Sequence, residues 1–313
     1  MSTPLHVILG AGQIGPSIAS SLLEKGLRVR LVRRGPFTVA PAGVETRSAD
    51  LSDPAEAARA MAGAEVVYNT VTPPYAEWGT LLLPLHRGIL AGATETGAHL
   101  VVLDNLYVYG RAPDGRMTET TPAAPCSKKG ELRAQAAAEL VAARERGDCV
   151  VTIGRASDFF GPGATLASIF GDRFWQRVLS GKSGECFGDP DAAHSYSYLP
   201  DVVRGMVVLG TDPRAKNRTW HLPVNKPEAT RATVARMGEA LGRPIKTTAV
   251  PRLVLSVMGL FQPIVREIAE MTYQWDGPFI LDDSHFTTTF GERATDWASA
   301  ARASVAWARS HYG

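Results

Sequence analysis

The sequence is poor in the features that mark specialised protein classes. Its three cysteines, Cys126, Cys149 and Cys186, stand far apart and form no CxxC pair. That spacing argues against a disulfide framework or a zinc site and suits a reducing cytosol. No basic run exceeds two or three residues and the net charge is only +2, so nothing in the charge pattern demands nucleic acid. Long apolar runs are missing too. The most apolar late segment, "LVLSVMGLFQPIV" at 253–265, is short and lies between Arg252 and Arg266. It is expected to form a buried helix or a pocket wall, not a membrane span. There is no internal repeat and no low-complexity linker. The opening residues run straight into a strand-like "LHVILG", read as the absence of a secretory leader. The expectation is a cytoplasmic protein with no membrane, nucleic-acid or metal partner, acting on a small molecule.

What is present is an ordinary globular composition, 45% hydrophobic and 20% charged over 313 residues. Apolar runs of strand length recur at 5–9, 28–32, 44–48, 65–70, 99–104 and 149–154. Several are apolar at nearly every position, as strands of a parallel sheet covered on both faces should be. Helical segments lie between them at 15–26, 53–63, 78–97 and after "CSKKG" at 126–130. This alternation predicts an α/β fold, a doubly wound parallel sheet with right-handed crossovers. After about residue 155 Gly and Pro punctuate shorter elements. Residues 1–155 are therefore read as one domain. Residues 156–313 are read mainly as a smaller C-terminal substrate-binding lobe, with segments returning to the sheet.

The strongest local signal is "VILGAGQIGPSIASSLLEKG", which sets Gly10, Gly12 and Gly15 as GxGxxG between a strand and a helix. The first glycine allows a tight turn, the second lets a pyrophosphate approach the backbone, and the third lets the helix pack on the strand. The helix N-terminus then stabilises phosphate charge. The sequence thus predicts a Rossmann dinucleotide-binding domain, with Gly10, Gly12, Gln13, Ile14 and Gly15 at the cofactor. About 20 residues further on, an NAD site carries an acidic residue for the ribose hydroxyls. The second strand instead ends in Arg33 and Arg34, which could grip a 2′-phosphate. NADP(H) is favoured over NAD(H) on that ground. Asp50 and Leu51 of "SADLSD" are placed to cover an adenine, and Thr70 and Val71 of "NTVTPP" follow the fourth strand at the ligand-binding edge.

With these residues in hand the chain resembles the extended short-chain dehydrogenase/reductase superfamily, in its branch of NAD-dependent epimerases and dehydratases. The resemblance also rests on "NLYVYG" (105–110), "MTETTPAAP" (117–125), "RASDFFGPG" (155–163) and "HSYSYLPDVVRGM" (194–206). It implies a Ser or Thr, a Tyr and a Lys in the pattern YxxxK as the proton-transfer group. All three are changed here, which makes this an atypical member. Asn105 stands at the Ser position, Cys126 at the Tyr position and Gly130 at the Lys position. Lys129 is one residue early, about 100° round a helix from the expected direction unless the helix start is shifted.

The catalytic candidates are accordingly Asn105, which can donate to a carbonyl oxygen, Tyr107, and Lys129, which is also a cofactor candidate. Tyr109 is expected to pack. The resemblance places an Arg that grips a sugar-nucleotide diphosphate where this chain has His194. The substrate-side candidates are otherwise Tyr75, Trp78, Asp158, Phe159 and Tyr196, a largely aromatic set. The first functional expectation is an NADP(H)-dependent reductase acting on a small aromatic or secondary-metabolite substrate. The alternatives are a sugar-nucleotide epimerase or dehydratase, and a non-catalytic NADP-binding sensor or partner protein. The resemblance also implies a homodimer through the helices near 78–97 and 127–147.

Overall fold

The structure is a computed structural model that describes residues 3–37, 39, 41–165, 168–251, 267 and 269–313. The apolar segment 253–265 lies outside the described residues. No helix among the described residues is long and apolar enough to cross a membrane.

The chain divides into two compact units. The first comprises Met1–Val108, Lys128–Arg155 and Val203–Leu222. It is built on a seven-stranded, wholly parallel sheet. Its first five strands are β1 (Leu5–Leu9), β2 (Arg28–Arg33), β3 (Glu45–Ser48), β4 (Val66–Asn69) and β5 (His99–Asp104). The spatial order is Thr219–His221, Val151–Arg155, β5, β4, β1, β2, β3. Every residue of β1 and β4 is buried, as their near-continuous apolar sequence requires in mid-sheet. β3, "ETRS", is polar and mostly exposed at the sheet edge, which blunts that edge against further pairing. The chain winds outward from β1 to β3, then restarts at β4 on the other side. The switch point between β1 and β4 is where such sheets bind ligands.

Crossover helices α1 (Gly15–Glu24), α2 (Pro54–Met61), α3 (Trp78–Thr96) and α4 (Lys128–Arg146) cover the sheet. α2 begins where Asp53 accepts from the backbone N–H of Ala55 and Glu56, with Pro54 in the first turn. α3 ends on Gly97 at φ 67°, a left-handed C-cap that glycine adopts without strain. α2 and α3 approach closely because two glycines face the contact. A Cβ at Gly88 would lie 2.3 Å from the Leu51 carbonyl oxygen, and one at Gly92 would lie 2.8 Å from the Ala58 nitrogen. Leu9, Leu51, Ala57, Met61, Ile89 and Leu100 belong to the core beneath.

The observed strands and helices fall within about two residues of their sequence-predicted ends, the usual uncertainty of helix and strand termini. The domain boundary differs more. Tyr109–Ser127, placed by sequence inside 1–155, belongs to the second unit. Val203–Leu222 returns to the first and supplies the edge strand Thr219–His221.

The second unit comprises Tyr109–Ser127, Ala156–Val202 and Pro223–Gly313. It is a set of two-stranded pairs, among them Asp158–Phe160 with Tyr196–Tyr198 and Gly184–Phe187 with Thr247–Val250. Helices α5 (Asp172–Leu179) and α6 (Thr230–Leu241) and the C-terminal helix Trp297–Tyr312 enclose its core. Phe160, Phe170, Trp175, Tyr196 and Met237 fill that core. It is aromatic because short strands bury little area per residue and large rings compensate.

Candidate functional site

At the switch point the glycine loop behaves as its spacing predicts. Gly10 has φ 107°, where only glycine is unstrained. A Cβ there would meet the Thr70 hydroxyl oxygen at 2.8 Å. A Cβ on Gly15 would come within 1.8 Å of the Gly10 carbonyl oxygen, so α1 can start this close to β1 only with glycine. A Cβ on Gly12 would meet no protein atom within 4 Å. Gly12 is thus dispensable for packing and leaves open space beside the backbone. The N-cap of α1, Ile14, offers no side-chain hydrogen bond, which leaves the first-turn N–H groups to a ligand or to water. Gln13 is half-buried between them. These residues fit a dinucleotide pyrophosphate.

Across the loop, the Thr70 hydroxyl donates to the Leu9 carbonyl at 2.9 Å, and the Asn69 side chain accepts from the Val71 N–H at 3.0 Å. Thr70 and Val71 therefore brace the cradle from the β4 side. Arg33 and Arg34 are exposed at the end of β2, with the Arg33 guanidinium 5.8 Å from the Phe37 ring centre. Neither forms a salt bridge among the described residues. Asp50 is turned onto its own loop. Its hydrogen bonds from the Ser52 hydroxyl and backbone, above all the hydroxyl, hold its carboxyl below the usual range. Leu51 is a correction to the sequence reading. It is 4% exposed and belongs to the helix–sheet core, so its side chain does not cover an adenine.

The carboxyl ends of β4 and β5 hold a group that the sequence reading had scattered over two roles. The loop after β4 turns at Tyr75–Glu77 and enters α3 at Trp78, whose indole N–H donates to the Pro73 carbonyl at 2.9 Å. The Tyr75 and Trp78 rings are 4.9 Å apart. After β5, the Asn105 side-chain oxygen accepts from the Tyr107 N–H at 3.1 Å, so Asn105 shapes the turn. The Tyr107 hydroxyl meets the Tyr75 hydroxyl in a hydrogen bond. Two cations on one face of α4, four residues apart, cover this cluster. Lys129 Nζ lies 5.2 Å from the Tyr75 ring centre and the Arg133 guanidinium 4.5 Å from that of Trp78. Lys129 is 3% exposed. α4 starts at Lys128, and that start turns Lys129 inward despite its one-residue displacement.

Arg133, His86 and Asp104 escaped the sequence reading. Arg133 is buried, donates to the Thr72 hydroxyl at 3.1 Å, and lies 3.6 Å from the Asp104 carboxylate, which also meets Arg155 at 3.3 Å. Burial, with the Arg133 charge beside it, pushes His86 down to about 4. The neutral ring can then accept from Arg133 at 3.5 Å. The available signal was the pairing of Lys129 and Arg133 at i, i+4 with Tyr75 and Trp78 at i, i+3.

Within the second unit the substrate-side candidates are mostly interior. His194 is 1% exposed. Its Nε2 meets Asp158 Oδ2 at 2.8 Å and its Nδ1 meets the Gln274 carbonyl at 3.2 Å. The ring stacks on Trp275 and Phe279. Tyr196 is fully buried with its hydroxyl 2.7 Å from that of Thr230. These two residues are thus corrected from pocket lining to core, as is Trp78 in the first unit at 2% exposure. Phe159 and Asp158 remain half-buried, Tyr109 is buried as expected, and Cys126 is exposed.

Fold and cradle together define a Rossmann-type nucleotide-binding protein of the short-chain dehydrogenase kind. A profile of the NAD dependent epimerase/dehydratase family matches residues 6–222, and the chain belongs to that family. A dTDP-6-deoxy-L-talose 4-dehydrogenase (NAD(P)(+)) from Kitasatospora kifunensis is 25% identical over 260 residues, 78% of this chain and 81% of the relative. Among solved structures, a dTDP-glucose 4,6-dehydratase from Bacillus anthracis in complex with NAD superposes with a TM-score of 0.79 at 15% identity. It covers 99% of this chain and 97% of that one. A UDP-glucuronic acid 4-epimerase from Bacillus cereus in complex with NAD gives 0.78 at 15% identity over 99% and 100%. At such identities these structures show the shared fold.

Proposed function

We propose that the protein is an NAD(P)-dependent enzyme that carries out redox chemistry on a nucleoside-diphosphate-linked sugar. The observation that carries the reading is the cradle at the switch point, where Gly10 and Gly15 are required by contact and Gly12 by open space alone. Family membership and the dTDP-sugar dehydrogenase relative support the substrate class. They support it better than they support a reductase of small aromatic carbonyls, the first expectation from sequence. The burial of Trp78 and Tyr196 removes two of the aromatic contacts on which that expectation rested.

Residues 10–15 and the start of α1 would hold the pyrophosphate, and Arg33 and Arg34 would hold a 2′-phosphate, so NADP(H) is the preferred dinucleotide. A bound nicotinamide supplies hydride donation or acceptance. The chain's own residues do the rest. The Thr70 and Asn69 hydrogen bonds fix the cradle walls, Asn105 offers its amide N–H to a substrate oxygen, and the tyrosine pair lies at the strand ends. His194, hydrogen-bonded at both nitrogens, does not provide the diphosphate grip that an Arg would give, so that grip belongs to other residues.

The test is nicotinamide absorbance with a panel of dTDP- and UDP-sugars, beginning with dTDP-6-deoxy-L-talose and either oxidised dinucleotide. Substrate-dependent appearance of the reduced-nicotinamide band is expected, faster with NADP⁺. Turnover with no net change in the nicotinamide would move the protein to the epimerase or dehydratase branch. Inertness toward every sugar nucleotide, with reduction of aromatic carbonyls, would restore the first expectation.

A further inference from the structure

We propose that Phe37 sets the dinucleotide preference of the cradle by holding the Arg33 guanidinium in place for a 2′-phosphate, with Arg34 in a lesser part. The assignment rests on the nicotinamide-dinucleotide reading above and deepens it.

The turn after β2 is tied down on both sides. Arg33, the last residue of β2, stands in register with Ser48 of β3, and its carbonyl accepts from the Ala49 N–H at 3.0 Å. The Ser48 hydroxyl donates to the Gly35 carbonyl at 3.1 Å, so the turn is fastened to the edge strand. Pro36 follows, and its ring fixes φ. Phe37 comes next and is half-buried. The Arg33 side chain folds back over this turn. Its guanidinium lies 5.8 Å from the Phe37 ring centre, and a Cβ built on Gly35 would stand 4.0 Å from one of its terminal nitrogens. An arm extended straight into solvent would meet neither.

An exposed arginine is a poor anchor, because its many rotamers must be ordered when a ligand arrives. The Phe37 ring confines Arg33 beforehand. The attraction runs between the positive charge and the electron-rich face of the ring, and it consumes no N–H group. Arg33 makes no hydrogen bond and no salt bridge among the described residues. Its donors therefore remain for an anion, and their planar fork fits two phosphate oxygens at once. Arg34 is placed differently. Its charge helps to hold the Asp50 carboxyl below the usual range, after the hydrogen bonds from Ser52. A cation close to a carboxylate exerts less net attraction on a phosphate. NADH offers Arg33 no charge at the 2′ position, so what Phe37 does to Arg33 is felt by NADPH.

The deciding experiment compares NADPH and NADH affinities by fluorescence titration of wild type, F37L, F37W, R33A and R34A. Wild type should bind NADPH about tenfold or more tighter than NADH, the worth of a charge-assisted hydrogen bond. F37L should weaken NADPH about two- to fivefold, the loss of one exposed cation–π contact. Its NADH affinity should stay unchanged, which also shows that the cradle is folded. F37W should restore NADPH binding. R33A should abolish the preference, whereas R34A should weaken NADPH by about twofold at most. A wild type without preference, an F37L variant with full NADPH affinity, or an equal loss for both dinucleotides would overturn the proposal. So would F37W as weak as F37L, or R34A as damaging as R33A. Adenosine 2′,5′-bisphosphate against adenosine 5′-monophosphate, by calorimetry, repeats the comparison without a nicotinamide, and the variants should fall in the same order. If wild type binds neither dinucleotide, the cofactor reading fails by itself, and this second pair of ligands decides. No preference for the bisphosphate then overturns the role of Phe37. Inertness toward every sugar nucleotide changes none of these affinities, so failure of the substrate reading is told apart from failure of this one.

Discussion

Gly12 and Gly15 are three residues apart, and their substitution should have opposite consequences. Gly15→Ala drives a methyl group into the Gly10 carbonyl, so the start of α1 must move. A loss of about 3 kcal/mol is expected, read as a lower denaturant midpoint. Gly12→Ala meets no protein atom and should leave that midpoint unchanged while abolishing dinucleotide binding in a fluorescence titration. Equal effects on both readouts would contradict the division of labour. At the same scale, Arg33→Ala with Arg34→Ala should weaken NADPH about tenfold or more, the worth of a charge-assisted hydrogen bond, and NADH much less. Such roles were legible in the sequence because a glycine loop is local and each residue's task follows from its offset. Lys129 was harder to read. Its direction depends on where α4 begins, and a one-residue shift of a helix start turns a side chain by about 100°.

Among the elements, the close contact of α3 with α2 and the loop before it constrains where α3 begins. α3 carries Trp78 at its first residue and packs through Gly88 and Gly92. Gly88→Ala would press on the Leu51 carbonyl and the Ser52 backbone together, and neither can yield alone. We expect a destabilisation of about 2 kcal/mol with a displaced Trp78 fluorescence maximum. An unchanged maximum and midpoint would show that α3 can slide. This scale also explains what the sequence concealed. Tyr75 and Tyr107 are 32 residues apart, and only the pairing of β4 with β5 brings them together. No periodicity within either segment encodes that pairing. Leu51 misled for a similar reason, since its burial is decided by a helix that begins 27 residues later. The strands themselves were readable, because a sheet covered on both faces leaves a continuous apolar run.

At the scale of the whole molecule, stability should depend on pH through buried histidines. Burial lowers His6, and it pushes His86 and His99 from 6.5 to about 4, helped by Arg133 at His86 and by Lys216 at His99. A folded value below the unfolded one means that the unfolded chain binds more protons between the two. Stability from His86 and His99 is therefore complete above about pH 6.5 and is lost as pH falls toward about 4, by about 1.4 kcal/mol per pH unit for each of the two; His6 acts in the same direction. Denaturant midpoints measured from pH 7.5 to pH 4.5 should fall steadily, and His99→Gln should flatten the slope. A flat profile in wild type would mean that these rings are already charged in the folded protein. The two-unit division was partly visible in the change of rhythm after residue 155. A return of later segments to the sheet was expected as well, but not that Val203–Leu222 would make it, and the departure of Tyr109–Ser127 was not visible. Those excursions depend on which sheet edge accepts a strand, and an edge has no sequence of its own.

The edge strand Thr219–His221 has a consequence for biosynthesis. Everything that forms the cradle lies within the first 108 residues, yet their sheet reaches its full width only after residue 221 has been made. Until then, Val151–Arg155 presents an open row of N–H and C=O groups, and a nascent chain is exposed to pairing with its neighbours on the polysome. Slow translation of 156–218 would lengthen that exposure, so the spacing between the sixth and seventh strands also sets how long the unpaired edge stands open.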